Sequence, residues 1–256
     1  MTAIDQLLAA SPELWKGNRR CDKQPTLTSG RRWLDNRLPG GGWPLGAVTE
    51  IISNTQGLGE FSLLFPALAD ISRKGQWLIM VDPPWVPYPA ALRGHGLALE
   101  RLLVVHSNNA GDSMWACEQA LNGSHGGIVL AWPDRISFAR LRRLQLAAET
   151  NAKAIFLFRP VRAVEESSPA ALRLHLQAGG IQEQAVDADS PTPRIRVEVL
   201  KCRGPRPSEP VWISPPYNAS IPVTYSVPDT PQTNQGSIKD PLELPVPTTP
   251  ISTTIN

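Results

Sequence analysis

Hydrophobic residues between positions 47 and 158 form short, near-continuous runs that alternate with longer amphipathic stretches. The runs cover residues 47–52, 76–82, 102–106, 127–131 and 154–158, and the helix-like segments lie near 61–73, 88–94, 112–121 and 137–150. Apolar runs that are separated by helices are typical of parallel strands buried on both faces. The pattern therefore predicts an α/β fold with a doubly wound parallel sheet.

After Pro160 the pattern changes. A polar loop over 161–168 is followed by alternating runs at 171–176 and 195–200 and by an apolar patch at 211–213. This alternation predicts antiparallel strands added to one edge of the sheet. Prolines crowd the stretch from Pro205 to Pro250, where large apolar residues are few. We expect an N-terminal anchor segment over 1–25, one domain over 26–213 and a disordered Pro/Thr/Ser-rich tail over 214–256.

Composition narrows the function classes. The formal net charge is only +2, so the chain lacks the global field of a dedicated nucleic-acid binder, and we expect direct DNA binding to be weak or absent. Three widely spaced cysteines and four scattered histidines argue against a disulfide framework and a metal site. No run approaches the roughly 18 apolar residues of a membrane span, and we expect a cytoplasmic protein without cofactor or metal.

A glycine-rich segment precedes the first predicted strand. Residues 38–51 read LPGGGWPLGAVTEI, after Thr28-Ser29-Gly30 and Leu34-Asp35. This order resembles the start of the RecA ATPase core, and residues 194–201 (RIRVEVLK), followed by 211–213, are similar to its closing β-hairpin. The resemblance covers about residues 26 to 213. It implies a RecA-like P-loop NTPase fold with a mostly parallel sheet and a C-terminal hairpin.

Three shorter stretches resemble two relatives of RecA, the ImuA family and the cell-division inhibitor SulA. They are Gly57-Leu58-Gly59-Glu60 with Leu63-Leu64, the Ala131-Trp132 pair, and FLFRP at 156–160. The glycine-rich segment and the hairpin favour ImuA. That resemblance implies a non-catalytic adaptor in SOS-induced translesion DNA synthesis, associated with the nucleoid on DNA damage. Its implied partners are an inactive Y-family protein (ImuB) and an error-prone DnaE-type polymerase, with RecA a further candidate. The alternative is a SulA-like inhibitor that binds FtsZ.

The phosphate loop that this fold would carry is degenerate. A working loop needs G-x-x-x-x-G-K-[ST], because the lysine contacts the phosphates and the hydroxyl holds magnesium. Here Gly57 and Gly59 are followed by Glu60 and Phe61 in those two places. A carboxylate at a helix N-terminus can instead cap free backbone N–H groups. Ala131 and Pro84 likewise stand where acidic residues are expected, so we predict that the protein is not an enzyme and binds no nucleotide.

Two surfaces are candidate interfaces. Leu14 and Trp15 precede a basic run and look like an aromatic anchor, although packing onto the protein's own domain fits equally well. The predicted helix at 137–150 places Phe138, Leu141, Leu144, Gln145 and Ala148 along one side and a basic facet on the other. That facet comprises Arg135, Arg140, Arg142 and Arg143. Such a facet fits an acidic partner, and it fits an ordinary solvated helix face as well.

Overall fold

The computed structural model describes residues 25–55, 57–124, 126–179, 194–204, 206–207 and 209–213. The predicted anchor with Leu14 and Trp15 and the predicted tail over 214–256 lie outside the described residues. The strands are β1 (Thr26–Leu27), β2 (Trp43–Pro44), β3 (Ala47–Ser53), β4 (Trp77–Val81), β5 (Leu102–Val105), β6 (Gly126–Ala131), β7 (Ala154–Pro160), β8 (Leu172–Gly179), β9 (Arg194–Lys201) and β10 (Val211–Ile213). The helices are α1 (Arg32–Asp35), α2 (Phe65–Arg73), α3 (Pro89–Gly94), α4 (Ala110–Asn122) and α5 (Phe138–Asn151). Single 3₁₀ turns cover Pro39–Gly41, Glu60–Leu63, Leu99–Arg101 and Val161–Glu165.

One mixed sheet organises these elements. Its eight strands follow the order β10-β9-β8-β3-β7-β6-β4-β5, and β1 and β2 form a small separate antiparallel pair. Neighbours from β8 to β5 are parallel, while β9 and β10 are antiparallel additions. The α/β class and the mostly parallel sheet are therefore confirmed.

The placement of β8 corrects the sequence prediction. The run at 171–176 was expected to be an antiparallel edge strand, but β8 pairs in parallel with β3 and lies inside the sheet. Its alternation arises because Leu172, Leu174 and Leu176 enter the core while Arg173 faces the opposite side. The buried Arg173 and His175, in alternate places, imitate the polar face of a half-exposed strand.

Apolar side chains cover both faces of the sheet. One cluster joins α2 and α3 to the sheet around Trp43, Leu68 and Phe156, and the other joins α4 and α5 around Cys117 and Leu144. Burial on both faces is the reason that β4, β6 and most of β7 are apolar, while β3 also buries Thr49 and Glu50.

Helix α2 begins later than its sequence pattern predicts. The periodic run starts at Phe61, yet residues Glu60–Leu63 form a separate 3₁₀ turn and α2 starts at Phe65. Pro66 lies in the first turn of α2, where its missing N–H costs nothing. Pro66 also has no N–H to donate to the carbonyl oxygen of residue 62, so one continuous helix across residues 61–73 is excluded.

Candidate functional site

The carboxyl ends of β3, β4, β6 and β7 meet at one edge of the sheet, where parallel α/β proteins usually hold their ligands. A groove of about 320 Å³ opens there. Its described lining is mostly apolar and consists of Gly57, Gly59, Glu60, Phe61, Met80, Pro83, Pro84, Trp85, Val86, Pro87, Tyr88, Ala91, Leu92, Trp132 and Phe158.

The loop that follows β4 forms one wall of this groove. It leaves the strand at Asp82, whose φ of 49° is unusual for a residue other than glycine. The Asp82 carboxylate accepts hydrogen bonds from the backbone N–H and the hydroxyl of Ser107, both at 2.6 Å. Burial opposes ionisation of this carboxyl group, but the hydrogen bonds from Ser107 outweigh it and lower the pKa of Asp82. Asp82 therefore ties the start of the loop to the end of the neighbouring strand β5.

The tip of this loop exposes large apolar side chains. Trp85 is 72% exposed, Val86 87% and Tyr88 62%. Three prolines within 83–87 limit the backbone freedom of the loop and so reduce the entropy lost when it is held in place. Contiguous exposed apolar groups beside a groove are typical of a surface that binds another molecule. We call Trp85, Val86 and Tyr88 the loop patch.

Glu60 lies at the base of the groove. Its Oε1 accepts a hydrogen bond from the backbone N–H of Gly57 at 3.0 Å. Gly57 and Gly59 have φ values of 82° and 89°, a left-handed conformation that favours glycine. The second carboxylate oxygen, Oε2, is buried and has no hydrogen-bond partner among the described residues. The sequence predicted that the Glu60 carboxylate caps free N–H groups at a helix N-terminus, whereas here one of its oxygens accepts from Gly57, which lies before the 3₁₀ turn.

Aromatic rings fill the floor beside Glu60. Trp132, which directly follows β6, stacks on Phe158 of β7 with ring centroids 4.8 Å apart. Phe61 contacts both rings and meets Phe65 edge to face at 4.9 Å. Phe61 stands where a working phosphate loop has Ser or Thr, and its ring packs among the others. Trp132, which follows Ala131, packs there as well. This cluster offers apolar surface and no acid–base chemistry.

A second, more polar pocket of about 260 Å³ shares Glu60, Trp132 and Phe158 with the groove. Asp134 of its lining forms a salt bridge with Arg162, which lowers the pKa of that carboxyl group. Arg159 binds Glu50 and Glu166 at 2.9 and 2.7 Å. These pairs leave the pocket without an uncommitted cation among its described lining residues, so it does not suit an anionic ligand.

The four arginines of the predicted basic facet differ in their contacts. Arg143 forms a 2.6 Å salt bridge with Glu118 of α4, and Arg140 donates to the carbonyl oxygen of Ala110. Arg135 and Arg142 are exposed. Two of the four arginines thus join α5 to α4, which weakens the facet as a free binding surface.

The predicted apolar side of α5 is correct except for Phe138. Leu141, Leu144, Gln145 and Ala148 are buried, whereas Phe138 is 51% exposed because it lies in the first turn, after the Ser137 N-cap.

The loop patch was not predicted from the sequence. Trp85, Val86 and Tyr88 stand among prolines, so they follow neither the period of a helix nor that of a strand. Large apolar residues in a stretch without either period were the available signal. Among the described residues, no group of three or more His, Cys, Asp or Glu side chains could hold a metal ion. No helix in the described ranges is both long and apolar enough to cross a membrane.

Several known proteins are similar to part of this chain. The chain is 29% identical over 118 residues to a protein of Serratia proteamaculans (strain 568), which covers 46% of this chain and 70% of the relative. A protein of Yersinia pestis (strain Pestoides F) is 25% identical over 132 residues, or 51% of this chain and 79% of the relative. Both are named cell division inhibitor SulA. This chain is similar to SulA.

A SulA of Serratia marcescens is also 24% identical over 117 residues. No family model matches the chain. The SulA-related part of the resemblance seen in the sequence is thereby supported. The finer assignment to the ImuA family stays a prediction, as does the degenerate phosphate loop.

Proposed function

We propose that this protein is a SulA-type inhibitor of cell division that acts by binding FtsZ through the groove and its loop patch. The similarity to SulA supports the class of function, and the exposed Trp85 and Val86 beside an apolar groove support the surface. The loop patch is the single structural observation that carries the proposal. We therefore favour the SulA alternative over the predicted adaptor role.

Binding fits the chemistry of the groove better than catalysis does. Glu60 is the one charged residue in its described lining, and it has no base, nucleophile or metal ligand beside it. Phe61, Trp132 and Phe158 occupy the floor with hydrophobic surface. We infer that the protein is not an enzyme and that its activity lies in association.

Trp85 is the expected anchor of the interface. A tryptophan that becomes buried on binding typically contributes about 2 kcal/mol or more, which is about 30-fold in affinity. Because Trp85 is 72% exposed in the free protein, its replacement removes little of the protein's own packing. A loss of binding in the variant would therefore report on the partner contact and not on folding.

The test is GTP-dependent assembly of purified FtsZ, followed by sedimentation. We expect the full-length protein to reduce the assembled fraction and Trp85→Ser to require about 30-fold more protein for the same effect. Trp115→Ser is the matched control, since Trp115 is 63% exposed on α4, which packs on the other face of the sheet. Equal loss in both variants, or no effect of the wild-type protein on assembly, would reject the proposal.

The translesion adaptor is the second candidate, and the closing hairpin favours it. The similarity to SulA spans about half of the chain, whereas the antiparallel β9 and β10 match the hairpin on which the ImuA resemblance rests. In that case the partners would be an ImuB-like protein and a DnaE-type polymerase, with RecA as a further candidate. Co-sedimentation with purified ImuB, without any effect on FtsZ assembly, would favour this function.

A further inference from the structure

The groove combines apolar walls with one charge. Met80, Leu92, Trp132 and Phe158 supply hydrophobic surface, and Trp85 extends it at the rim. Glu60 is the one charged residue of the described lining. A ligand that fits this groove therefore has large apolar groups and at most one polar group that reaches the base.

The carboxylate of Glu60 is only half satisfied. Gly57 donates to Oε1, while Oε2 is buried without a partner among the described residues. A buried carboxylate oxygen without a donor is unfavourable, so a donor supplied by a ligand would stabilise the complex.

Nearby cations cannot supply this donor. Arg159 is held by Glu50 and Glu166, and Arg162 by Asp134. Among the described residues, these pairs leave no cation to compensate the charge of Glu60 beside the apolar surface. The charge disfavours phosphate-bearing ligands and favours a cation from outside.

Resting on the proposed function, we propose that the groove binds a segment of the partner protein in which an arginine or lysine lies beside a large apolar residue. The basic group pairs with Glu60, and the apolar side chain packs against Trp132, Phe158 and the loop patch. Arginine suits the site better than lysine, because its planar guanidinium can stack on an aromatic face while it donates to the carboxylate. A volume of about 320 Å³ is at the lower end of the range for binding pockets and matches a short segment.

The test is a selection from a random displayed peptide library on the immobilised full-length protein, run in parallel on Glu60→Gln. The variant retains a side-chain oxygen that can accept from the Gly57 N–H, so the loop keeps its contact. Trp212→Ser is the control for an exposed tryptophan elsewhere, on β10. We expect wild type and control to enrich peptides that pair Arg or Lys with Leu, Phe, Trp or Tyr, and Glu60→Gln to lose the basic preference.

The affinity of the enriched peptides then measures the contribution of the charge pair. Replacing the selected arginine with citrulline, its neutral analogue, should weaken binding to wild type about tenfold and to Glu60→Gln less than about threefold. The inference is overturned if no peptide is enriched, if basic residues are not enriched, or if citrulline weakens binding equally in both proteins. If the peptides behave as expected while FtsZ assembly is unaffected, the inference stands and the proposed partner is wrong. If assembly is inhibited as strongly by Glu60→Gln as by wild type, only the inference fails.

Discussion

Glu50 is the most completely buried charge in the described part of the chain. It lies in β3 between two guanidinium groups, 2.9 Å from Arg159 of β7 and 2.6 Å from Arg173 of β8. Arg173 also donates to the carbonyl oxygen of Ala163, in the turn after β7. Three neighbouring strands and the following turn are thus joined by one ionic cluster. Buried charges of this kind are stable only when every partner is present.

We predict that Glu50→Gln strongly destabilises the protein, because it leaves the buried Arg173 without its carboxylate partner and Arg159 with Glu166 alone. Removing one partner of a buried ion pair typically costs about 3–5 kcal/mol. The control is Lys74→Gln, which breaks an exposed pair with Asp70 and should cost about 0.3–0.5 kcal/mol. The free energy of unfolding in urea measures both. Similar losses in the two variants would show that the cluster contributes no more than a surface pair.

The sequence predicts a residue's chemistry where its partner is close in the chain. For Glu60 the sequence predicted a contact with nearby backbone N–H groups, and the donor is the N–H of Gly57, only three residues away, although it lies before the turn and not within it. The role of Glu50 was not predicted, because its partners are 109 and 123 residues away. Such a contact exists only once β3, β7 and β8 are neighbours, and neither helix nor strand periodicity contains that information.

Among the structural elements, the contact between the ends of β4 and β5 sets the position of the loop patch. Asp82 receives two hydrogen bonds from Ser107, and its pKa is lower in the folded protein than its ordinary value. The folded state consequently binds fewer protons than the unfolded state near the ordinary pKa of aspartate, about 4. The resulting stabilisation is present above that pH and is lost as the pH falls through the lowered pKa of Asp82.

We therefore predict that Asp82→Asn lowers the free energy of unfolding at pH 7 by about 1.5–3 kcal/mol, the usual contribution of hydrogen bonds to a charged group. Asparagine tolerates the left-handed backbone at this position, so the variant removes the charge without adding strain. The difference from wild type should shrink below about pH 4. A difference that does not depend on pH between 7 and 3 would contradict the role given to the Asp82 carboxylate.

Most elements of the sheet follow from the sequence, and the exceptions have physical causes. The five strands from β3 to β7 were predicted from their short, largely apolar runs. Burial on both faces explains these runs in β4, β6 and β7, whereas β5 is a partly exposed edge strand. Strand β8 was assigned to an antiparallel edge because Arg173, buried by its contact with Glu50, imitates a solvent-facing residue. The start of α2 was misplaced because Pro66 separates it from the 3₁₀ turn before it.

At the scale of the whole molecule, two surfaces of the described residues differ in how far their polar groups are already paired. The groove and loop patch lie where the parallel strands end, with an unpaired carboxylate oxygen and exposed aromatic rings. The face formed by α4 and α5 exposes Trp115, but Arg140 and Arg143 are committed to contacts with α4. A partner can stabilise the unsatisfied groups of the first surface, so we assign the interface to that surface.

Hydrogen–deuterium exchange of the full-length protein, with and without purified FtsZ, tests this assignment most directly. The account predicts that FtsZ slows exchange at residues 83–92, in the loop patch and α3, and at 57–61 around Glu60. Exchange in α4 and α5 should remain unchanged. Slower exchange confined to α4 and α5, or no change anywhere at concentrations that saturate FtsZ, would contradict the claim that this groove is the inhibitory surface.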